Sequence, residues 1–179
     1  MLKLRVRVNP HNNLETLVHY HVGVIQKKLE SGDQDGIVLD CTSAIIAMAF
    51  AVEALMNYVG AKNLPDWRER APFMTKVAAL EKKFAFKFDI NVEPYKTIVL
   101  LKKARDTMAH GQPVEFQVAV PPQKHMASAM QPKWSSVTEP EVVLPAYEQV
   151  KAFKKHLFAL AHIKPGASLT SAMGGGTAT

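Results

Sequence analysis

The feature that most constrains the fold is a segment from about Asp40 to Gly60 that is apolar on nearly every side. A helix that is apolar all round is typical of the centre of a bundle, where neighbouring helices cover it. Asp40 is a plausible N-cap and Gly60 a plausible C-terminal stop. The segment combines large apolar residues at helical spacing with alanines that let neighbours approach closely: Ile45, Ile46, Met48, Phe50, Val52, Leu55, Met56 and Val59, with Ala44, Ala47, Ala49, Ala51 and Ala54.

Four further segments show the periodicity of helices with one apolar face. They run from about residues 12 to 30, from 72 to 86, from 94 to 110, and from Pro140 or Pro145 to about 163. Residues 2–8 and 114–120 alternate apolar with polar side chains and could pair as a small ribbon. The predicted fold class is therefore all-α, a bundle of four to five helices, with or without a two-stranded ribbon of residues 2–8 and 114–120.

The length of 179 residues predicts one domain. We expect this helical domain to span residues 1–164. Within it, residues 121–140 are rich in Pro, Ser, Gln and Met and predict a long irregular loop. Residues 165–179 are rich in small residues and predict a flexible C-terminal tail.

Composition predicts a cytoplasmic protein with a mildly basic charge. Lysine and arginine number 22 against 16 acids, a net charge of +6. That surplus would favour polyanions such as nucleic acid, but many soluble domains are mildly basic without binding one. Cys41 is the only cysteine, so no intrachain disulfide can form. The first residues lack the apolar stretch of a signal peptide. The apolar run from Ala44 to Val52 is too short to span a bilayer, so no membrane association is predicted.

The densest chemistry in the chain is Arg105-Asp106-Thr107-Met108-Ala109-His110-Gly111. Gly111 and Pro113 place His110 in the last turn of a helix, where unpaired carbonyls make the local potential negative. Asp106 lies four residues earlier on the same face. Both influences favour the charged imidazolium, which can donate a proton or bind a phosphate. Arg105 adds a planar cation that matches phosphate geometry.

One copy of this helix end is a sparse active site. Residues five apart on an ideal helix differ in direction by about 140°, so Arg105 and His110 would flank a groove. Two copies across a twofold axis would supply two arginines and two histidines, which predicts a homodimer. The alternative is that an arginine and a histidine near a helix C-terminus only stabilise the helix dipole.

Supporting residues are expected on two helices. Glu53 and Asn57 lie one turn apart in the apolar central helix, and a buried acid needs a partner. They either orient Arg105 and His110, with Arg105 as the expected partner of Glu53, or they face a dimer surface or cap a loop. Lys102 and Lys103 would guide a nucleic acid toward the motif if they rim the cleft.

Metal and cofactor sites are not predicted. The seven histidines and the single cysteine show none of the spacings typical of a metal site. Trp67 and Trp134 lie in irregular segments, where packing is a more common role than stacking on bases.

The Arg105-Asp106-x-x-x-His110-Gly111 pattern, preceded by the apolar residues 98–101, resembles the signature of the HEPN superfamily. The alanine-rich segment 44–57, with Glu53 and Asn57 four residues apart, is similar to the core helix of many stand-alone HEPN proteins. The resemblance covers roughly residues 38–111 and, by position, the last helix. The hairpin-like 114–120 and the loop after it depart from the minimal bundle.

The resemblance implies a dimeric all-α protein. Many members are metal-independent endoribonucleases, including toxins of toxin–antitoxin pairs. Arg105 and His110 would be the catalytic pair, cleaving RNA by attack of its 2′-hydroxyl on the neighbouring phosphorus. The partners implied are RNA, a second copy of the chain, and an antitoxin or regulatory protein. The alternative is a non-catalytic HEPN-like dimerisation module that binds RNA, a nucleotide or a protein partner.

Overall fold

The computed structural model describes residues 3–113, 115 and 134–175, with side chains described only between residues 6 and 171. Five α-helices form an all-α bundle, which confirms the predicted fold class. Their bounds are α1 Pro10–Ser31, α2 Ile37–Asn63, α3 Phe73–Phe84, α4 Tyr95–Ala109 and α5 Pro140–Leu160. Two strands, β1 Lys3–Arg7 and β2 Ser171–Gly175, flank the helices in the chain.

Helix α2 is the centre of the bundle and contacts each of the other four helices. Ala44, Ile45, Met48, Met56 and Val59 are fully buried. By length and composition α2 is the one described helix that could cross a membrane, and half of its most apolar stretch is buried inside the protein. Packing against four neighbours therefore accounts for much of its apolar character.

Both predicted ends of the central helix were wrong. The N-cap is Gly36, with φ of 63°, and Asp40 lies in the first turn, where it accepts a hydrogen bond from Lys28 Nζ at 2.7 Å. Gly60 lies inside α2, which continues to Asn63. A Cβ at residue 60 would lie 2.2 Å from the indole of Trp67, so this glycine is required by close packing and does not end the helix.

The ribbon takes its second strand from a segment that the sequence did not suggest. Strand β1 pairs antiparallel with β2, with Lys3 opposite Gly175 and Arg7 opposite Ser171. The predicted partner strand, residues 114–120, lies outside the described residues apart from Glu115. Among the described residues, β2 is the strand that pairs with β1.

Residues 165–175 of the predicted C-terminal tail contain regular secondary structure, and residues 176–179 lie outside the described residues. Pro165–Ser168 forms a 3₁₀ turn and Ser171–Gly175 is β2. Side chains of the bundle hold this segment through its carbonyls: the amides of Asn9 and Asn12 each donate to Ser168 O at 2.6 Å, and the Tyr58 hydroxyl donates to Ala167 O at 3.1 Å. These bonds attach residues 167 and 168 to the helical bundle.

The predicted irregular loop, residues 121–140, is described only from residue 134. Ser135–Val137 is a single 3₁₀ turn, and α5 begins at Pro140. Proline suits this first helical position because its missing N–H would have no intrahelical partner there.

Candidate functional site

The side chains of α2, α3 and α4 meet in a chain of alternating charges, here called the charge network. Its members are Lys76 of α3, Glu53 of α2, and Arg105, Asp106 and Lys102 of α4. Three cations and two carboxylates alternate along it, so each carboxylate binds two cations. The network fixes the part of α4 that carries the sequence motif against two other helices.

Glu53 binds Arg105, the partner expected from the sequence. One carboxylate oxygen accepts from Arg105 Nη1, and the other accepts from Lys76 Nζ at 2.7 Å. Burial alone would raise the pKa of Glu53, but the hydrogen bonds from Lys76 and Arg105 outweigh burial and hold that pKa below its ordinary value. Glu53 therefore remains an anion and orients the guanidinium.

Lys76 was not found by sequence reasoning. Its side chain is 0% exposed, so its charge needs the Glu53 carboxylate. The signal was available, because Lys76 occupies an apolar position of α3, three residues after Phe73 and four before Leu80, both of which are buried. A lysine inside an apolar stripe predicts a buried acid on a facing helix.

Asp106 is bound on both carboxylate oxygens. Oδ1 accepts from Arg105 Nη2 at 2.8 Å, and Oδ2 accepts from Lys102 Nζ at 2.5 Å. Burial would raise the pKa of Asp106, but the hydrogen bonds from Lys102 and Arg105 lower it below its ordinary value. The carboxylate that the sequence placed beside His110 is thus occupied by the two cations of its own helix.

Arg105 retains donors that could reach a ligand. Its five N–H groups include one bonded to Glu53 and two to Asp106, which leaves one N–H on each terminal nitrogen. The side chain is 22% exposed, and its guanidinium lies 5.9 Å from the centre of the Phe50 ring. Burial alone would lower the pKa of Arg105, but the two carboxylates raise it, so the group stays charged.

His110 ends α4 and is exposed. Its backbone N–H donates to Asp106 O at 2.9 Å, which closes the helix. A Cβ at the next residue, Gly111, would lie 2.8 Å from Thr107 O and 3.7 Å from the indole of Trp134. A histidine and a tryptophan therefore flank the same helix end.

Asn57 does not take part in the charge network. Its side-chain oxygen accepts from the indole N–H of Trp67 at 3.3 Å. The sequence left two roles open for Asn57, orienting the motif or facing a dimer surface or a loop. The contact matches the loop, because Trp67 belongs to the connection between α2 and α3. Trp67 packs over Gly60, which is the packing role predicted for it.

The two lysines predicted to guide RNA have different surroundings. Lys102 is bound to Asp106, and about a third of its side chain is exposed. Lys103 is exposed and forms no ion pair among the described residues. We call residues 102–111, the last two turns of α4 and the residues that follow them, the α4 end. It contains Lys102, Lys103, Arg105 and His110.

Among the described residues, no group of three or more His, Cys, Asp or Glu side chains is arranged to hold a metal ion. No family model, curated protein or solved structure matches the chain. The resemblance to the HEPN superfamily therefore rests on the residues of the α4 end and α2 alone.

Proposed function

We propose that this protein is a homodimeric, metal-independent endoribonuclease whose active site is the α4 end. The observation that carries the proposal is the placement of Arg105 between two carboxylates, with an exposed His110 at the end of the same helix. The two residues lie about 7.5 Å apart along the helix axis. A fixed guanidinium costs little reorganisation when it binds a phosphate.

The reaction needs a base, an acid and stabilisation of negative charge. In the proposed step, the 2′-hydroxyl loses its proton to a base as its oxygen bonds to the adjacent phosphorus. The bond from phosphorus to the 5′-oxygen breaks, and the leaving oxygen takes a proton from an acid. The products are a 2′,3′-cyclic phosphate and a 5′-hydroxyl. The remaining N–H groups of Arg105 would stabilise the non-bridging oxygens.

A second copy of the chain would supply the second titrating group. Each protomer brings one His110, so a dimer offers one imidazole as base and another as acid. An apolar face of α2 that the other described residues leave exposed supports such a dimer: Leu39 is 71% exposed, Phe50 is 43% exposed, and Ile46 between them is partly exposed. These three residues share one side of the helix. Because Phe50 lies beside Arg105, pairing through this face would bring the two arginines toward each other.

Contacts with RNA beyond the scissile phosphate would come from the same helix end. Lys103 offers an exposed charge to the backbone, and Trp134 lies next to Gly111 with its ring partly exposed. Stacking of a base on an aromatic ring and contact of a lysine with phosphate are common in proteins that bind single strands.

A non-catalytic module that binds RNA, a nucleotide or a protein partner is the second candidate. The charge network favours it in one respect, because the carboxylates already hold three of the five Arg105 donors. An arginine used mainly to join helices would leave the exposed lysine and tryptophan for binding without cleavage.

The test compares matched variants on a single-stranded RNA in the presence of EDTA. We expect the wild-type protein to release 2′,3′-cyclic phosphate ends, and Arg105→Ala and His110→Asn to lose at least about 100-fold in rate. The controls are Arg70→Ala, an exposed arginine elsewhere, and His162→Asn, an exposed histidine at the end of α5. Unfolding of each variant in urea separates loss of the site from loss of the fold.

Three results would decide against cleavage at the α4 end. Equal rates for all variants would assign the activity to a contaminant, and loss of activity with EDTA would require a metal. RNA binding that weakens in Arg105→Ala, without any cleavage by the wild-type protein, would support the non-catalytic module.

The dimer has its own measurement. Light scattering after size exclusion should give twice the monomer mass for the wild-type protein and the monomer mass for Phe50→Lys. Leu169→Lys, at an exposed residue that is not part of the face formed by Leu39, Ile46 and Phe50, should leave the mass unchanged. A monomeric wild-type protein would contradict the composite active site.

A further inference from the structure

A groove between α1, α2 and α5 lies apart from the charge network and the α4 end. It has a volume of about 400 Å³, and its floor is formed by Val18, Ala51, Val150, Phe158 and Ile163. None of the residues assigned to the proposed active site lines it. The groove has an open mouth, so a ligand could enter without separating the helices.

Lysines of α5 lie along one side of the groove. Lys151, Lys154 and Lys155 line it, and among the described residues Glu15 of α1 is the one acidic residue that lines it. Lys154 Nζ binds Glu15 at 2.5 Å and lies over the Phe158 ring, 5.4 Å from its centre. The described lining therefore carries a surplus of positive charge beside an apolar floor.

The outer lysines are available to an incoming anion. Lys151 binds Glu148 at 2.9 Å, but more than half of each side chain is exposed, so water can replace either partner at little cost. Lys155 is exposed and forms no ion pair among the described residues. Tyr147 adds a hydroxyl at the wall, 3.1 Å from His19 Nδ1.

We propose that this lysine-rimmed groove binds an amphipathic monoanion, with an acyl chain on the apolar floor and a carboxylate at Lys155 and Lys151. Sites for small molecules commonly measure about 300–1,000 Å³ and combine an apolar lining with a few polar groups. A volume at the small end of that range fits one short chain. The apolar floor disfavours a nucleic acid strand, whose charge repeats at every phosphate. The site is independent of the proposed ribonuclease activity.

Calorimetric titration with decanoate tests the site on the whole protein. Decan-1-ol, with a similar chain and no charge, and decyltrimethylammonium, with the opposite charge, are the matched ligands. We expect decanoate to bind most tightly and the cation most weakly. Equal affinity for decanoate and the cation would overturn the proposed role of the lysines.

Two pairs of variants locate the binding. Ala159 is exposed and lines the groove, so Ala159→Trp should fill the space and abolish binding of decanoate. Ala152, an exposed alanine of the same helix that does not line the groove, gives the control Ala152→Trp. Lys155→Gln should weaken binding about fivefold, whereas Lys82→Gln, on α3, should not.

Each remaining outcome decides against the proposal. Unchanged binding in Ala159→Trp would place decanoate elsewhere on the protein. A change in oligomeric mass in Ala159→Trp, with no binding of decanoate to the wild-type protein, would show that a second copy covers the groove. Urea unfolding of both tryptophan variants confirms that the comparison is made between folded proteins.

Discussion

The charge network and the lysine-rimmed groove use lysine in opposite ways. In the network, Lys76 is fully buried, and Glu53 is shared between Lys76 and Arg105. At the groove, Lys151 binds Glu148 with more than half of each side chain exposed, and Lys155 forms no ion pair among the described residues. Shared carboxylates fix side chains across three helices, whereas single, exposed pairs exchange readily with solvent. The difference suggests that one set of charges holds the fold and the other remains available to a ligand.

The largest expected effect comes from removing the shared carboxylate. Glu53→Ala leaves the buried Lys76 ammonium without its partner and should lower the free energy of unfolding by about 3 kcal/mol. Glu148→Ala removes the partner of Lys151 at the rim and should change it by less than about 0.5 kcal/mol. Urea denaturation followed by circular dichroism measures both. Similar losses for the two variants would erase the proposed difference between the regions.

A second comparison adds volume instead of removing charge. Gly60→Ala places a methyl group where the Trp67 ring lies, one helix turn after Asn57. The overpacking should lower the free energy of unfolding by about 2 kcal/mol. Gly23→Ala is the matched control, because a Cβ there meets nothing within 4 Å and the helix favours alanine by up to about 1 kcal/mol. The midpoint temperature of thermal unfolding should therefore fall for Gly60→Ala and rise for Gly23→Ala. A stabilised Gly60→Ala would mean that Trp67 is not held against α2.

The two sides of the molecule should also lose stability at different pH. His11 is fully buried near Glu15 and Lys154. Burial lowers the pKa of His11 below its ordinary value of 6.5. The charge of Glu15 opposes this shift, and the charge of Lys154 adds to it. Below pH 6.5 this histidine is protonated in the unfolded chain, whereas the buried His11 of the folded protein stays neutral to a lower pH. The free energy of unfolding therefore decreases as the pH decreases. The loss grows as the pH decreases toward about 5.5. Glu53 and Asp106 have lowered pKa values, so their contribution persists until the pH falls below their ordinary values of 4.5 and 3.8.

The measurement is the difference in free energy of unfolding between pH 7.5 and pH 5.5. His11→Phe, which keeps a ring against Tyr58, should show a smaller difference than the wild-type protein. An unchanged difference would mean that His11 does not govern this range of pH.

The smallest expected effect is at the rim itself. Lys155→Gln should change the free energy of unfolding by less than about 0.5 kcal/mol, because the lysine is exposed and forms no ion pair among the described residues. Its effect should appear only in the titration with decanoate. A clear loss of stability would assign Lys155 to the fold and not to a ligand.

The helices were largely predictable from the sequence, since periodicity reports which faces are buried. The segment predicted from 12 to 30 is α1 Pro10–Ser31, and the one predicted from 72 to 86 is α3 Phe73–Phe84. The pairing of Glu53 with Arg105 followed from the need of a part-buried acid for a cation. These features depend on local pattern or on one strong physical requirement.

The features that were missed depend on contacts between segments. Gly60 looks like a helix stop until Trp67 is known to lie over it. Strand β2 has the sequence Ser-Ala-Met-Gly-Gly, which carries little β propensity, so its pairing with β1 could not be read from alternation. The position of Asp106 between Arg105 and Lys102 requires side-chain directions that spacing along one helix does not give.

The β1–β2 ribbon brings Lys3 and Gly175 side by side. Residues paired across an antiparallel ribbon have Cα atoms about 5 Å apart. Two different fluorescent reporters attached at residues 3 and 175 would therefore lie close enough for efficient energy transfer while the ribbon stays intact.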